Sequence, residues 1–236
     1  MKLLIEGKAK KIYISKDKGF LIQYFKDDTT AYNNKKKKKF LNKGIINNYI
    51  SADIFNFLKK NRIDNHFIRK LNSREQLIKK VAIIPLEIVI RNYAAGSLIK
   101  NLSIQRGKVI TPPIVEFYLK SDKLNDPLIN EEHILFLKLC SEKEIKKIRT
   151  IAKKVNILLL KYFKDIKVIL VDFKIEVGKH NNKIILADEI SPDCCRLWDK
   201  KTKKSMDKDL FRENKGNLLD GYNNIYNRIR NKNNDL

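Results

Sequence analysis

The chain of 236 residues predicts an α+β fold. Three observations carry that expectation. Short β-like runs cluster at the start of the chain and again around 86–92 and 168–190. The strongest helical patterns, at 141–163 and near the C-terminus, stand apart from them. Strand and helix never alternate in the regular manner of a doubly wound parallel sheet.

The elements follow in order. "KAKKIYIS" and "FLIQYFK" are two strands joined by the turn signal "KDKG". "NNYISADIFNFLKKN" places Ile50, Ile54, Phe57 and Leu58 at helical spacing. "HFIRKL" and "LIKKVAII" read as strands, which makes the chain up to Ile84 a small, mostly antiparallel sheet with one helix. Pro85 marks a hinge, and "LEIVIRN" is a strand beyond it. "SEKEIKKIRTIAKKVNILLLKYF" is a helix, with Ser141 and Glu144 as a capping box and Ile145, Ile148, Ala152, Val155 and Leu159 on one apolar stripe. "VILVDFKIEV" and "KIILADEI" are strands, and Leu218, Leu219, Tyr222, Ile225, Tyr226 and Ile229 face inward on a last helix. The run Lys35–Lys39 reads as a solvated loop.

Composition narrows the function. A hydrophobic fraction of 43% fits a globular chain rather than a disordered one. No apolar run approaches the roughly 20 residues of a membrane span, and "MKLLIEGKAKKIY" breaks too early for a signal peptide. Three cysteines, Cys140, Cys194 and Cys195, imply reduced thiols and a cytoplasmic setting. The net charge of +24 raises nucleic-acid binding. Lysine, asparagine and isoleucine prevail everywhere, however, and no nucleic-acid-binding motif accompanies them, so neither a nucleic-acid nor a membrane partner is expected.

Candidate chemistry sits in four places. In "VDFKIEV", Asp172, Lys174 and Glu176 share one face of a strand. If "GKHNN" is the following turn and Val177 pairs with Lys183, Asp172 lies opposite Asp188, with Cβ atoms ~4.5–5.5 Å apart. Such an oxygen-rich cluster beside a lysine suits Mg²⁺. The turn "EGKAKKIY" sets Gly7 among Lys8, Lys10 and Lys11, a surface that receives phosphates or is simply solvated. "VIRNYAAGS" offers Arg91 as a planar fork, with Gly96 and Ser97 beside it, for an anion or for a strand end. "ADEISPDCCRLWDK" gathers Asp188, Glu189, Asp193, Asp199 and Arg196 around a rigid Ser-Pro pair.

These stretches, with "NKGIINN", "NHFIRKL" and "MDKDLFR", occur in one order from about Leu3 to Arg230. Together they resemble the SAICAR synthetases (phosphoribosylaminoimidazole-succinocarboxamide synthases). "VIRNYAAGS" and "DEISPDCCRLWD" are the most specific of them. The resemblance implies a two-lobed fold, with a small antiparallel nucleotide lobe (1–84) related to kinase and ATP-grasp lobes. A larger α+β lobe (85–236) would bind substrate and metal. It implies an ATP-dependent ligase of purine biosynthesis, joining CAIR, a carboxylated aminoimidazole ribotide, to L-aspartate to give SAICAR, ADP and phosphate, through an acyl phosphate. Another small-molecule kinase on a related fold is the alternative.

By the same resemblance, Gly7, Lys8, Ala9 and Lys10 lie along the ATP phosphates. Lys80 and Ile83 belong to a hinge that holds adenine through backbone groups. Glu176 and Asp188 ligate Mg²⁺. Asp172 and Lys174 face the reacting carboxylate, with Asp172 a candidate base. Arg91, Ser97 and Arg196 grip the ribotide. Asp193 and Arg196 stand at the cleft mouth, with Trp198 anchoring their turn. A homodimer is implied, and closure over the acyl phosphate by the turn near Gly7 and the loop 33–43. Asn33 stands where some members carry an acid.

Overall fold

The computed structural model describes residues 2–32 and 35–234; Asn33 lies outside them. A five-stranded antiparallel sheet opens the chain, in the order β1-β2-β3-β7-β6. Its strands are β1 (Leu3–Glu6), β2 (Lys10–Ile14), β3 (Phe20–Phe25), β6 (Phe67–Lys70) and β7 (Glu75–Lys79). Between β3 and β6 the chain forms a separate hairpin, β4 (Asp28–Ala31) with β5 (Lys36–Lys39), and then the helix α1 (Lys43–Lys60). The lysine run is therefore a strand and not a solvated loop. It pairs with β4 along its length, and Lys36 caps the carbonyl of Phe211 and the side chain of Asn214.

The second sheet runs β11-β10-β9-β12-β13, with β8 and β14 also on β12. Its members are β8 (Ala82–Ile83), β9 (Leu86–Tyr93), β10 (Val109–Leu119), β11 (Leu128–Ile129), β12 (Val168–His180), β13 (Lys183–Ala187) and β14 (Cys195–Asp199). Short helices α2 (Ser97–Asn101), α3 (Glu131–Phe136) and α5 (Asp209–Arg212) connect it. The long helix α4 (Glu142–Asp165) covers it, and α6 (Leu218–Asn234) packs on α1 and α5. The Ser141–Glu144 capping box forms on α4. Every residue of its expected stripe is buried, in a core shared with Ile50, Ile54 and Leu58 of α1 and with Tyr222 and Ile225 of α6. Among the described residues no helix is long and apolar enough to cross a membrane.

One strand escapes the sequence reading, and one expected register is corrected. β10 gives no clear strand signal because Pro112 and Pro113 interrupt it. Its pairing with β9 shifts between Val109 and Ile114, and that irregularity accommodates the two prolines. In the hairpin of β12 and β13, Val177 pairs with Leu186 and not with Lys183. Asn181 and Asn182 both take left-handed backbone (φ 47° and 60°), closing a tight two-residue loop between His180 and Lys183. The shorter loop moves the register, so Asp172 lies beyond the end of β13. Its neighbours across the sheet are Arg91 on β9 and Arg196 on β14.

Candidate active site

A cavity of about 750 Å³ opens between the two sheets. Strand β12 forms its floor, and Asp172, Lys174 and Glu176 all point into it from one face, as their spacing of two requires. Gly7, Lys8, Ala9 and Lys10 line the opposite side. An apolar slot made by Ile12, Leu21, Ile78, Val81 and Ile83 continues from them.

At one end lysines and carboxylates interleave. Lys10 bonds Asp188 and lies 2.8 Å from Glu189. Lys174 bonds Glu87 and lies 3.4 Å from Glu176, whose other oxygen takes Lys120. Burial works against the charge of Asp188. Lys10, Lys174 and Lys120 nevertheless hold its carboxyl below the usual range. Burial likewise opposes charge on Lys174, and Glu176 and Glu87 hold its ammonium above the usual range. The Asp188 backbone is left-handed, with φ 67°. Its carbonyl accepts from Gln23 and His66, and burial pushes the His66 imidazole down to about 4. Glu176 and Asp188 thus border one hollow, although Asp172 and Asp188 do not oppose each other.

At the other end arginines are held by acids. Arg91 donates from Nε to Glu116 (2.8 Å), from Nη1 to Asp172 (3.2 Å), and from Nη2 to Ser97 Oγ (3.0 Å) and Tyr118 (3.1 Å). The fork expected to receive a ligand is filled by protein. Arg196 donates from Nε to Asp209 (2.8 Å) and from Nη1 to Asp172 (2.9 Å). A Cβ on Gly96 would lie 2.5 Å from Arg196 Nη2, and Gly96 has φ 57°, so glycine there makes room for this guanidinium. Asp172, shared by two arginines, positions them. As an acceptor for an amine proton it is poorly placed.

Other expectations are revised. Asp193 lines the cavity, but its carboxylate is turned into the protein. It takes Lys43 (2.6 Å), Asn47 (2.9 Å) and the Tyr222 hydroxyl (2.7 Å), tying α1 and α6 to the Ser-Pro turn. Lys43 is fully buried, and a charge without water needs this partner. Trp198 is buried with Ala95 and Val171, as an anchor should be. Lys8 reaches across to Asp122 (2.7 Å). The Lys80 amide donates to Gly19 (2.8 Å), so it is taken, while its carbonyl accepts from His180 (3.1 Å) and keeps a second lone pair.

Several cavity residues carry no mark in the sequence, namely Glu87, Lys120, His66 and Gln23. Lys208 and Arg212 are further lining residues, from the "MDKDLFR" stretch. Burial lowers Lys208 to about 8. Among the described residues no carboxylate reaches it at ion-pair distance.

Among the described residues no three His, Cys, Asp or Glu side chains are grouped to hold a metal ion by themselves. The four carboxylates Glu87, Glu176, Asp188 and Glu189 outnumber the three lysines Lys10, Lys120 and Lys174 that bridge them. That oxygen donor set fits a hard divalent ion that takes one or two carboxylates and draws its remaining oxygens from phosphates and water.

Comparison with known proteins agrees with this geometry. The family model described as SAICAR synthetase matches residues 3–229. A phosphoribosylaminoimidazole-succinocarboxamide synthase of Wolbachia pipientis is 50% identical over 231 residues, covering 97% of this chain and 96% of that one. The crystal structure of the synthase from Ehrlichia chaffeensis superimposes with a TM-score of 0.95 at 45% identity, over 97% of this chain and 98% of that one. A SAICAR synthetase solved in complex with ADP gives a TM-score of 0.94 at 48% identity, over 97% of each chain.

Proposed function

The chain belongs to the SAICAR synthetase family, and from that premise we propose how its cavity divides the reaction. The activity is ATP-dependent ligation in purine biosynthesis. The substrates we assign are ATP, L-aspartate and 5-amino-1-(5-phosphoribosyl)imidazole-4-carboxylate (CAIR), and the products SAICAR, ADP and phosphate. One observation carries the assignment. A single cavity joins an apolar slot, a lysine–carboxylate cluster and an arginine-lined end in that order, which suits adenine, phosphates and an anionic second substrate.

The nucleotide lobe would be residues 1–84 and the substrate lobe 85–236, with β8 at their junction. Adenine lies in the slot of Ile12, Leu21, Ile78, Val81 and Ile83. The turn Gly7–Lys10 flanks the triphosphate, and the Lys8–Asp122 ion pair fastens that turn to the other side. Glu176 and Asp188 would hold Mg²⁺, which supplies charge neutralisation on the phosphates when bound. As the nucleotide arrives, Lys10, Lys120 and Lys174 exchange carboxylate partners for phosphate oxygens.

Lys174 then orients the CAIR carboxylate. One of its oxygens attacks the γ-phosphorus, and the bond from that phosphorus to ADP breaks, leaving an acyl phosphate. The aspartate amine attacks the acyl carbon, loses its proton, and phosphate departs. Such chemistry asks mainly for position and neutralised charge. Arg196 bonds Asp209 and Asp172 through Nε and Nη1, so Nη2 is its edge for the ribotide. Ser97 accepts from Arg91 and keeps its own hydroxyl proton to donate.

Purified protein with ATP, Mg²⁺, CAIR and aspartate should yield SAICAR and equimolar ADP. ADP release that proceeds equally without aspartate would instead indicate a kinase. We also read the chain as a cytoplasmic homodimer. Its three free cysteines accord with a reducing compartment, and light scattering of the purified protein tests the dimer.

A further inference from the structure

Asp188 directly follows the last paired residue of β13, yet it does not continue the strand. Its φ of 67° lies in the left-handed region, uncommon outside glycine and entered there mostly by asparagine and aspartate. The turn aims the carboxylate at Lys10 and sends the carbonyl into buried space. Two side chains meet that carbonyl, His66 Nε2 at 3.0 Å and Gln23 Nε2 at 3.2 Å. Both residues are almost fully buried. A carbonyl only accepts, so His66 must carry its proton on Nε2.

His66 is itself fixed on every side. Its amide donates to the carbonyl of Leu186 (2.9 Å), and its own carbonyl accepts from Lys79 (2.7 Å). Leu186 in turn donates to Asp64 (3.0 Å), which completes a rung between this segment and β13, two residues before Asp188. The edge of the ring meets Phe55, with centroids 5.3 Å apart. Gln23 comes from β3 in the other sheet. A donor pair held by the first sheet thus grips a turn belonging to the second.

We propose that His66, seconded by Gln23, is a positioning residue that keeps Asp188 in its left-handed turn and so aims its carboxylate at the metal-bound nucleotide. This rests on the reading that Asp188 serves the nucleotide's metal. It adds that the aim is set by an imidazole donor in the cavity wall that acts through the Asp188 backbone. A buried histidine that merely fills space would not require a donor at Nε2.

The test measures ADP binding by calorimetry, with and without Mg²⁺, alongside thermal melting. His66→Leu keeps bulk and removes the donor, whereas His66→Gln restores an N–H of similar reach. In His66→Leu, affinity for ADP with Mg²⁺ should fall about 10–100-fold, the scale for losing a group that orients a metal ligand. Affinity without Mg²⁺ should hold, and His66→Gln should recover most of the loss. Wild-type Mg²⁺-dependent binding in His66→Leu would overturn the proposal, as would equal losses in the Leu and Gln variants. If His66→Leu does not fold, Gln23→Leu removes the second donor to the same carbonyl. It should show a loss confined to the Mg²⁺ arm, and its absence overturns the proposal equally. Asp188→Asn separates the premise from the inference. If that variant keeps wild-type Mg²⁺ dependence, the role of Asp188 fails. If it loses that dependence while the His66 variants do not, only the positioning role fails.

Discussion

The two ends of the cavity treat charge differently. At the lysine end, Lys10, Lys120 and Lys174 meet a larger number of carboxylates through ammonium contacts, Lys10 and Lys174 with two partners each and Lys120 with one. At the arginine end, Arg91 has protein partners on all three of its nitrogens, and Arg196 has them on two. A lysine is a point charge on a loose stem, whereas an arginine is a planar fork whose direction its partners fix. On the proposed division of the cavity, the first end would exchange carboxylate for phosphate as nucleotide enters. The second would hold its geometry in advance and spend no rearrangement on binding.

The largest effect that separates the two ends is expected at Asp172. Asp172→Asn removes the carboxylate shared by two arginines and leaves buried guanidiniums short of a counter-charge. Folding stability should drop by about 3–5 kcal/mol, read as a lower urea midpoint at unchanged slope. A loss below about 1 kcal/mol, the level of an exposed ion pair, would mean the arginine end is not preorganised. Asp188→Asn should do the reverse. Lys10 retains Glu189, so the fold survives. Turnover of ATP, CAIR and aspartate should fall by about 10²–10³, the scale of losing one preorganised charge at a reacting group. Near-normal turnover would remove Asp188 from the phosphate machinery.

A finer contrast lies within the arginine end. Arg196→Lys loses the fork but keeps a charge, so its main effect should be a raised KM for CAIR, equivalent to about 1.5–3 kcal/mol. Arg91→Lys should act mainly on stability, because every nitrogen of Arg91 already has a protein partner. If both variants shift KM alike, the distinction between a ligand-facing arginine and a structural one is wrong.

How much of this was legible follows from the range of each interaction. The helix α4 was readable because its cap and stripe are local, lying within four residues of one another. The shared face of Asp172, Lys174 and Glu176 needed only the two-residue period of a strand. The register of the β12–β13 hairpin was misread because Asn181 and Asn182 make a tighter loop than the five-residue "GKHNN" allowed for. The partners of Asp172 then come from β9 and β14, 81 and 24 residues away. Asp193 does line the cavity, as its polar Ser-Pro turn suggested, and only the approach of Lys43, 150 residues distant, shows that its carboxylate also ties the turn to α1. His66 sits in a run that reads as plain strand, and nothing local marks its reach to Asp188.

The smallest expected effect concerns Lys208, a cavity cation without an ion-pair partner among the described residues. Burial lowers it to about 8 from an ordinary 10.5. Arg212 and Lys43 push the same way, while Asp193 and Glu189 oppose them. The ammonium is therefore charged below about pH 8 and neutral above. If it faces the ribotide, CAIR affinity should weaken about tenfold between pH 7 and pH 9 as that charge is lost. The substrate's own phosphate does not confuse this window, because its second ionisation lies near pH 6. The same shift has a folding counterpart. From about pH 8 to 10.5 the unfolded chain binds more protons at this site than the folded one, so Lys208 favours folding progressively as pH rises. Lys208→Arg keeps a charge throughout and should flatten both profiles. Were the CAIR affinity of wild type already flat from pH 7 to 9, the free cation at this end would have no part in holding the ribotide, and Arg196 with Ser97 would have to do so alone.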